Sequence, residues 1–269
     1  MSTVLLYDAG METFSTRYGP WAVVAGASEG LGAAFAESLA KRSVNVVLVA
    51  RRKMPLEELA ARLVNRYHIQ VSTVVLDLGD SDRLQEFVDT LDLSVGMLVY
   101  NAAYAPVGQF AERPVDDLRR VIDVNVTAPL LLSRLLAPGM LARGRGGIVL
   151  MSSLAGTQGS PGIATYAASK SFNAILAEGL WQELRLGGID VIASRAGAIR
   201  TPGYLAQGIK EAPGTLDAAD VAEQTLKALG HGPGVVPGRI NKLAHFVLSR
   251  LVPRKVAVAV MASNTRDLT

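Results

Sequence analysis

The chain has 269 residues, 49% of them hydrophobic and 19% charged, and its formal net charge is +3 at pH 7. This length and apolar content suffice for one large domain with a substantial core, and they argue against a disordered chain. The sequence contains no cysteine, so disulfides, thiolate metal sites and cysteine nucleophiles are excluded. The three histidines, His68, His231 and His245, lack the close spacing of metal ligands, and we expect no metal site.

The charge distribution and the N-terminal sequence predict a soluble, cytoplasmic protein. Basic residues are spread along the chain without a basic-aromatic motif, so we expect no nucleic-acid partner. The first residues show no secretory signal pattern, and no uninterrupted apolar stretch has the length that a membrane-spanning helix needs. Only residues 239–269 combine apolar residues with a concentration of arginine and lysine.

A glycine-rich turn follows the first predicted strand. Residues 1–19 have no strong periodicity and are predicted to form an N-terminal arm. The apolar run Trp21–Ala25 predicts a strand, residues 26–32 contain three glycines, and residues 33–40 have a helical pattern. Such a turn lets the backbone approach a bulky anion, which then faces free amides at the positive end of the helix dipole. We therefore expect a bound pyrophosphate, with contacts from Gly26, Ser28, Glu29, Gly30, Leu31 and Gly32.

The same turn also spells G-x-S-x-G, the pattern of the nucleophile elbow in α/β-hydrolases, with Ser28 as the nucleophile. A hydrolase normally places this elbow well into the chain, with its acid and histidine following in order. Here the turn ends the first strand, and no histidine has a recognisable setting. We therefore favour the dinucleotide interpretation and keep the hydrolase as the weaker alternative.

The end of the second strand indicates the choice of dinucleotide. Residues 44–50 form a nearly continuous apolar run, typical of a parallel strand buried on both faces, and Arg51 and Arg52 follow it. An acidic residue at this place would bind the ribose 2′-hydroxyl of NAD, whereas a guanidinium suits the 2′-phosphate of NADP. The sequence therefore predicts NADP, with NAD less favoured.

The following elements extend the same alternation of strand and helix. Residues 56–67 and 83–91 have helical patterns, and residues 71–76 and 97–100 have strand patterns. Alternating strands and helices of this kind predict a single doubly wound α/β domain with a parallel seven-stranded sheet, which binds ligands at the carboxyl ends of its strands. The residues expected at those ends are Asp77, Leu78, Asn101, Ala102 and Ala103.

Tyr166 and Lys170 are four residues apart and become neighbours on one face if this segment is helical. An ammonium beside a phenol favours the phenolate, so this spacing suggests proton chemistry. Residues 147–153 predict a buried strand whose last hydroxyls, Ser152 and Ser153, emerge at the carboxyl end. Because side chains alternate along a strand, only one of the two serines faces the site.

These motifs together resemble the short-chain dehydrogenase/reductase family over residues 21–202. The resemblance implies a Rossmann-type domain, in which the serine binds the substrate carbonyl, the tyrosine transfers a proton, and the lysine binds the nicotinamide ribose and lowers the phenol pKa. The family's asparagine is thought to hold a water through its main chain. The matching catalytic residues are Asn125, Ser153, Tyr166 and Lys170, and the matching nicotinamide loop contains Gly197, Ile199 and Thr201.

Three positions depart from the family's usual pattern without removing a catalytic group. Ala25 replaces a threonine, Ala196 replaces a proline before Gly197, and Tyr100 stands where a second asparagine is frequent. Because the usual Pro-Gly is missing, the loop on the nicotinamide side is expected to be positioned less rigidly.

Pro129 lies in a helical pattern that covers residues 115–142. A proline has no backbone N–H, so the carbonyl four residues earlier, that of Asn125, loses its helical donor. We hypothesise that Pro129 helps to create the kink at which Asn125 acts, although it could also only bend the helix around the core.

The last third of the chain leaves more alternatives open. Residues 172–186 carry more apolar residues than one core needs, and the resemblance implies a homodimer or homotetramer there, although burial within one chain would give the same pattern. Residues 203–217 are predicted to be a substrate lid or a disordered loop, and residues 235–236 an edge strand. The tail, 239–269, could be a subunit contact, a pocket cover or a peripheral membrane helix; Pro253 favours the first two, because it breaks a long amphipathic face.

The predicted function is NADPH-dependent interconversion of a ketone and a secondary alcohol. Residues 18–24, 39–48 and 95–99 resemble the branch that includes 17β-hydroxysteroid dehydrogenases and very-long-chain 3-oxoacyl-CoA reductases, which implies a bulky apolar ketone, a steroid or a 3-oxoacyl thioester. A non-catalytic, regulatory NADP-binding protein of the same fold is the alternative.

Overall fold

A computed structural model describes residues 13–205 and 211–265. At its centre lies a parallel sheet of seven strands: β1 (Trp21–Ala25), β2 (Asn45–Ala50), β3 (Val71–Val75), β4 (Val95–Tyr100), β5 (Gly146–Ser153), β6 (Ile189–Ala196) and β9 (Gly234–Val235). A separate parallel pair is formed by β7 (Ile199–Arg200) and β8 (Leu216–Asp217). The strand order in the large sheet is β3-β2-β1-β4-β5-β6-β9.

Helices cover both faces of this sheet. In chain order they are α1 (Phe14–Tyr18), α2 (Gly30–Ala40), α3 (Lys53–Tyr67), α4 (Asp82–Asp89), α5 (Val115–Ile122), α6 (Ala128–Arg143), α7 (Ala164–Leu184), α8 (Pro202–Leu205), α9 (Ala218–Ala228), α10 (Arg239–Phe246) and α11 (Arg254–Thr265). Two further turns are π-helical, Asp123–Thr127 and Val247–Leu251. The predicted single doubly wound α/β domain with seven parallel strands is confirmed.

Alternating strand residues divide the core into two apolar layers. In β1, Ala22 and Val24 pack in the layer that contains α2, α3 and α9, whereas Val23 and Ala25 pack in the layer that contains α4, α6 and α7. All four side chains are fully buried. This two-sided burial explains why the strands have continuous apolar runs rather than an alternating pattern.

The strand order reverses between the neighbouring strands β1 and β4. After β1 the chain adds β2 and β3 on one side of this pair, and after β4 it adds β5, β6 and β9 on the other side. The loops that follow these two strands therefore separate and open a crevice at their carboxyl ends. The segments that follow β1 and β4 are the glycine turn, 26–32, and residues 101–103. The fold thus brings the two predicted ligand-binding segments to one edge.

The end of the predicted N-terminal arm forms a helix that is bonded to the sheet. Helix α1 begins after Thr13, whose hydroxyl accepts a hydrogen bond from the Thr16 N–H at 3.1 Å. The Tyr18 hydroxyl donates to Asp190 Oδ2 at 2.7 Å, and Arg17 forms an ion pair with the same carboxylate. This contact fastens α1 to β6. The rest of the predicted arm, residues 1–12, lies outside the described residues.

The predicted helix over 115–142 is a continuous helical stretch, Val115–Arg143, with the π-helical turn Asp123–Thr127 in its middle. Among the described residues, this is the one helical stretch that is long and apolar enough to cross a membrane, judged by length and composition alone. Half of its most apolar window is buried in the protein, where α6 packs on β4 and β5. A core helix of a soluble protein passes the same test, so this finding is weak support for a membrane span.

Candidate active site

A cleft of about 770 Å³ lies at the carboxyl ends of β1, β2, β4, β5 and β6. Of the residues that the sequence predicts for the site, only Gly32 and Asn125 are absent from its lining. The predicted residues that line it are Gly26, Ser28, Glu29, Gly30, Leu31, Arg51, Arg52, Asp77, Leu78, Asn101, Ala102, Ala103, Ser153, Tyr166, Lys170, Gly197, Ile199 and Thr201. The fold therefore brings together segments that are up to 175 positions apart in the sequence, from Gly26 to Thr201.

The glycine turn is shaped by close backbone contacts. Gly26 has a φ of +83°, and a Cβ there would lie 2.6 Å from the Ala102 nitrogen. A Cβ on Gly32 would lie 1.9 Å from the Gly26 carbonyl oxygen, so Gly32 serves the packing of α2 below the turn rather than the cleft wall. The Asn101 side chain donates to the same carbonyl at 3.0 Å. The turn thus keeps a narrow cradle at the start of α2, whose amides face the cleft.

The two arginines after β2 have different surroundings. Arg52 forms an ion pair with Glu29, Nη2 to Oε1, at 2.9 Å, and donates to the Ser28 hydroxyl at 3.1 Å. Arg51 is exposed at the cleft and has no ion-pair partner among the described residues. The Ser28 hydroxyl accepts a hydrogen bond from Arg52 and has no histidine partner among the described residues. The geometry therefore gives the hydrolase alternative no catalytic base.

Asp77 is held at the end of β3 by Arg120, which the sequence did not mark. Both oxygens of Asp77 accept from Arg120 Nη2 at 2.8 Å, and Oδ1 also accepts from the Gly79 N–H at 2.9 Å. Burial raises the pKa of Asp77, but these hydrogen bonds and the charges of Arg120 and Arg51 outweigh it, and the net pKa lies below its usual value. Arg120 reaches the cleft from α5, 43 positions away in the sequence, and no motif surrounds it.

Tyr166 and Lys170 lie on α7 with the Lys170 Nζ 5.6 Å from the centre of the Tyr166 ring. Lys170 is 2% exposed and donates to the Met151 carbonyl oxygen at 3.0 Å. Burial lowers the pKa of Lys170 to about 8. Burial also raises the pKa of Tyr166, and the Ser153 hydroxyl only partly opposes this rise. The spacing of Tyr166 and Lys170 led us to expect a lowered phenol pKa; in the structure, desolvation of the phenol is the larger effect.

The two serines at the end of β5 have separate partners. Ser152 is buried and donates to the Lys170 carbonyl oxygen at 2.7 Å. Ser153 is partly exposed in the cleft, and its Oγ accepts from the Ala155 N–H at 3.1 Å. The Ser153 hydroxyl therefore faces the cleft and the Tyr166 phenol, which it stabilises in its charged form, whereas the Ser152 proton is bound to the Lys170 carbonyl oxygen.

Asn125 lies in the π-helical turn and is fully buried. Its side chain accepts from the Tyr104 N–H at 2.8 Å and donates to the Tyr104 carbonyl at 2.9 Å and to the Ser169 hydroxyl at 3.1 Å. The Tyr100 hydroxyl donates to the carbonyl of Val124 in the same turn. These bonds join the loop after β4, the π-helical turn and α7.

The π-helical turn ends directly before Pro129. The Ala128 N–H bonds to the Asp123 carbonyl, one residue further back than in an α-helix. Pro129 follows directly, inside the continuous helical stretch, where it has no N–H to donate to the Asn125 carbonyl four residues earlier. The position of the turn agrees with a local helix irregularity at Asn125, and the role of the Asn125 main chain stays a prediction.

The predicted lid over 203–217 is described in part, since residues 206–210 lie outside the described residues. Tyr204 of α8 lines the cleft. Arg200 forms ion pairs with Glu211 and with Asp217, and the Gly214 carbonyl accepts from Asn241 at 3.0 Å. The described end of this segment is therefore fastened to β7 and α10.

The comparison with known proteins agrees with this geometry. Residues 20–210 match the family described as short chain dehydrogenase. The chain is 32% identical to a very-long-chain 3-oxoacyl-CoA reductase of Phaeosphaeria nodorum, over 97% of this chain and 80% of that protein. It is 30% identical to a 7beta-hydroxysteroid dehydrogenase of Mediterraneibacter gnavus, over 86% of this chain and 90% of that protein.

Solved structures show the same likeness. A structure from a study of 7beta-hydroxysteroid dehydrogenase stereoselectivity has a TM-score of 0.87 and 26% identity, covering 93% of this chain and 99% of that one. A short-chain dehydrogenase from Sphingobium yanoikuyae in complex with NADPH has a TM-score of 0.73 and 32% identity, covering 81% and 87%. The chain therefore belongs to the short-chain dehydrogenase family, whose members are oxidoreductases that bind a nicotinamide cofactor.

Proposed function

We propose that the protein is an NADPH-dependent reductase that interconverts a bulky apolar ketone and the corresponding secondary alcohol. The observation that carries the proposal is the meeting of Ser153, Tyr166 and Lys170 in the same cleft as the glycine turn and Arg51. One part of this cleft suits a dinucleotide, and the other offers a hydroxyl, a phenol and an amine to a carbonyl oxygen.

The residues of the cleft fit the proposed cofactor. The narrow cradle at Gly26 and Gly30, where a Cβ would collide with Ala102 or Thr201, suits a diphosphate at the start of α2. Arg51 supports NADP over NAD, because it is an exposed guanidinium at the cleft with no ion-pair contact among the described residues, although its charge acts on the nearby Asp77. When bound, the nicotinamide supplies the hydride, and the protein supplies position and proton transfer.

The chain's own groups hold and move the proton. The Ser153 hydroxyl lies in the cleft beside Tyr166 and would turn its proton from the phenol to a bound substrate carbonyl oxygen. The raised pKa of Tyr166 keeps its phenol protonated at neutral pH, which suits a proton donor. Lys170, with a pKa of about 8, exchanges its own proton near neutral pH and lies on the same helix face. These three roles together support reduction of a carbonyl group.

The substrate class is supported by the relatives and by the size of the cleft. The relatives named above act on very-long-chain 3-oxoacyl-CoA and on 7beta-hydroxysteroids, and both names describe bulky apolar substrates. The cleft of about 770 Å³ is within the roughly 300–1,000 Å³ that ligand sites usually have.

Loss of NADPH absorbance with a panel of bulky ketones and 3-oxoacyl thioesters tests the proposed reaction. We expect turnover by the wild type, and a kcat in Tyr166→Phe that is lower by about 10²-fold or more, the usual contribution of a positioned acid. NADPH affinity should stay within a few-fold. Activity that survives Tyr166→Phe would contradict the proton donor, and tight NADPH binding without turnover by the wild type would identify a non-catalytic cofactor-binding protein.

A second pair of variants tests the cofactor. Arg51→Ala should weaken NADPH binding by about ten- to a hundredfold, as expected for a lost hydrogen bond to a charged group, and should leave NADH binding unchanged. Arg52→Ala is the matched control, because this guanidinium is already paired with Glu29. Equal losses in both variants, or a loss of NADH binding in Arg51→Ala, would contradict the assignment of the 2′-phosphate to Arg51.

A further inference from the structure

One side of the helical segment 239–251 exposes apolar and basic side chains together. The apolar side chains Ile240, Leu243 and Phe246 are 60%, 65% and 55% exposed, and the basic residues Arg239, Lys242 and Arg250 are exposed beside them. We call these six residues the basic apolar face. Their spacing places all six within one side of a helix.

The orientation of this segment is fixed by its opposite side. Asn241 is 4% exposed, and its amide donates to the carbonyl oxygens of Gly214 and Pro237 at 3.0 and 3.1 Å. Because these bonds anchor α10 through Asn241, the basic apolar face points away from the protein interior. The Asn241 contacts therefore keep the large side chains of the basic apolar face exposed to water in a single copy of the chain.

The face carries a strong charge bias. No aspartate or glutamate occurs between Glu223 and Asp267, and none of the three basic residues of the face has an ion-pair partner among the described residues. Helix α11 adds exposed Arg254, Lys255 and Val256 after the turn at Pro253. A solvated helix surface normally mixes both signs of charge, so an acid-free segment with exposed large apolar groups points to an anionic partner.

We propose that the basic apolar face docks the protein onto an anionic lipid bilayer surface. The apolar side chains would enter the interfacial layer while arginine and lysine contact the headgroups, as amphipathic basic helices do. A second copy of the chain fits less well, because a two-fold contact of this face with itself sets like charges against each other. Pro253, which argued against a membrane helix in the sequence, lies after this face and does not interrupt it.

The face is also connected to the active-site loop. His245, on the same helix, lies with its Nδ1 3.1 Å from the Thr157 hydroxyl, and Arg254 donates to the Thr157 carbonyl at 2.8 Å. Thr157 ends the short turn that begins directly after Ser153. A bilayer against this face would therefore lie near the turn that follows Ser153. Entry of an apolar substrate from the lipid would be a consequence, and that consequence rests on the proposed function. The docking itself does not.

Co-sedimentation with lipid vesicles, without substrate, tests the docking. We expect the wild type to bind vesicles with roughly one quarter phosphatidylglycerol and not vesicles of phosphatidylcholine alone, and the bound fraction should fall as salt is added. The double variant Arg239→Gln/Lys242→Gln should lower the partition coefficient about 30-fold, from about 1 kcal/mol for each basic residue at an anionic surface. Phe246→Ser should lower it about tenfold through lost apolar burial, and Leu243→Ser provides an independent second test.

The matched control is Leu186→Ser, since Leu186 is 91% exposed and lies after α7, away from the segment 239–251. It should bind vesicles as the wild type does, and every variant should keep the wild-type affinity for NADPH. Absence of wild-type binding to anionic vesicles would overturn the proposal, as would equal loss in Leu186→Ser. A change in oligomer mass in Phe246→Ser without a change in vesicle binding would assign the face to a second copy instead.

Discussion

Replacing Lys170 by methionine should make the protein more stable and inactive. Burial lowers the pKa of Lys170 from 10.5 to about 8, and at about 1.4 kcal/mol per pKa unit this corresponds to about 3 kcal/mol lost from the free energy of unfolding at neutral pH. The side chain is 2% exposed, so solvent does not screen this cost. Methionine has a similar length and needs no proton.

Part of this gain is offset by a lost hydrogen bond. Lys170 donates to the Met151 carbonyl oxygen at 3.0 Å, and such a bond contributes about 1 kcal/mol. The same carbonyl keeps a second donor, the Asn173 amide at 3.4 Å. We therefore expect Lys170→Met to raise the free energy of unfolding by about 2 kcal/mol at pH 7.

The pH dependence separates this cause from ordinary repacking. Above pH 8 the folded protein releases the Lys170 proton, whereas the unfolded chain keeps it up to pH 10.5. The unfolded state then binds more protons, so wild-type stability rises with pH through this window relative to the variant. The advantage of Lys170→Met should be largest at pH 7 and small near about pH 9.5 to 10.

Urea unfolding of both proteins at pH 7 and at about pH 9.5 measures this difference. The control is Lys53→Met, because the Lys53 side chain is 70% exposed and its replacement should change stability by about 0.5 kcal/mol or less at either pH. A Lys170→Met variant that is no more stable than wild type at pH 7 would refute the reasoning. So would a gain that is the same at both pH values, since burial of the charge would not then be its source.

Three further variants probe how the fold shapes the site. Tyr100→Phe removes the hydrogen bond to the π-helical turn and should lower the free energy of unfolding by about 1–3 kcal/mol, measured by urea unfolding, because a buried carbonyl loses its partner. Gly32→Ala places a Cβ 1.9 Å from the Gly26 carbonyl oxygen and should abolish NADPH binding in calorimetry, whereas an unchanged affinity would contradict the packing role of Gly32. Tyr18→Phe should lower the melting temperature by removing the 2.7 Å bond to Asp190, and an unchanged melting temperature would show that this bond contributes nothing to stability.

The parts of the site that follow a strand were predictable from the sequence. Apolar runs mark buried parallel strands, and the carboxyl ends of such strands meet at one edge. The glycine turn, Asn101 and Ser153 could therefore be placed in one cleft before any coordinates were known. Alternation of side chains along β5 indicates that only one of Ser152 and Ser153 faces the site, and the resemblance to the family selected Ser153.

Contacts between distant segments were not predictable in this way. Arg120 belongs to α5 and holds Asp77, yet nothing in the local pattern connects the two residues. Arg51 and Arg52 look equivalent in the sequence, and only the structure shows that Arg52 is paired with Glu29 while Arg51 is exposed at the cleft. Periodicity reports which face of an element is buried, but it does not report which side chain of another element lies opposite.

The Tyr166 pKa illustrates the same limit and bears on the direction of the reaction. Spacing places Lys170 beside Tyr166, and the charge of Lys170 alone would lower the phenol pKa. Burial acts on both groups at once: it raises the pKa of Tyr166 and lowers that of Lys170 to about 8. A phenol that keeps its proton is prepared to donate it to a substrate oxygen, whereas alcohol oxidation needs the phenolate as a base. In the proposed reaction, reduction is therefore the direction in which Tyr166 needs no prior loss of its proton.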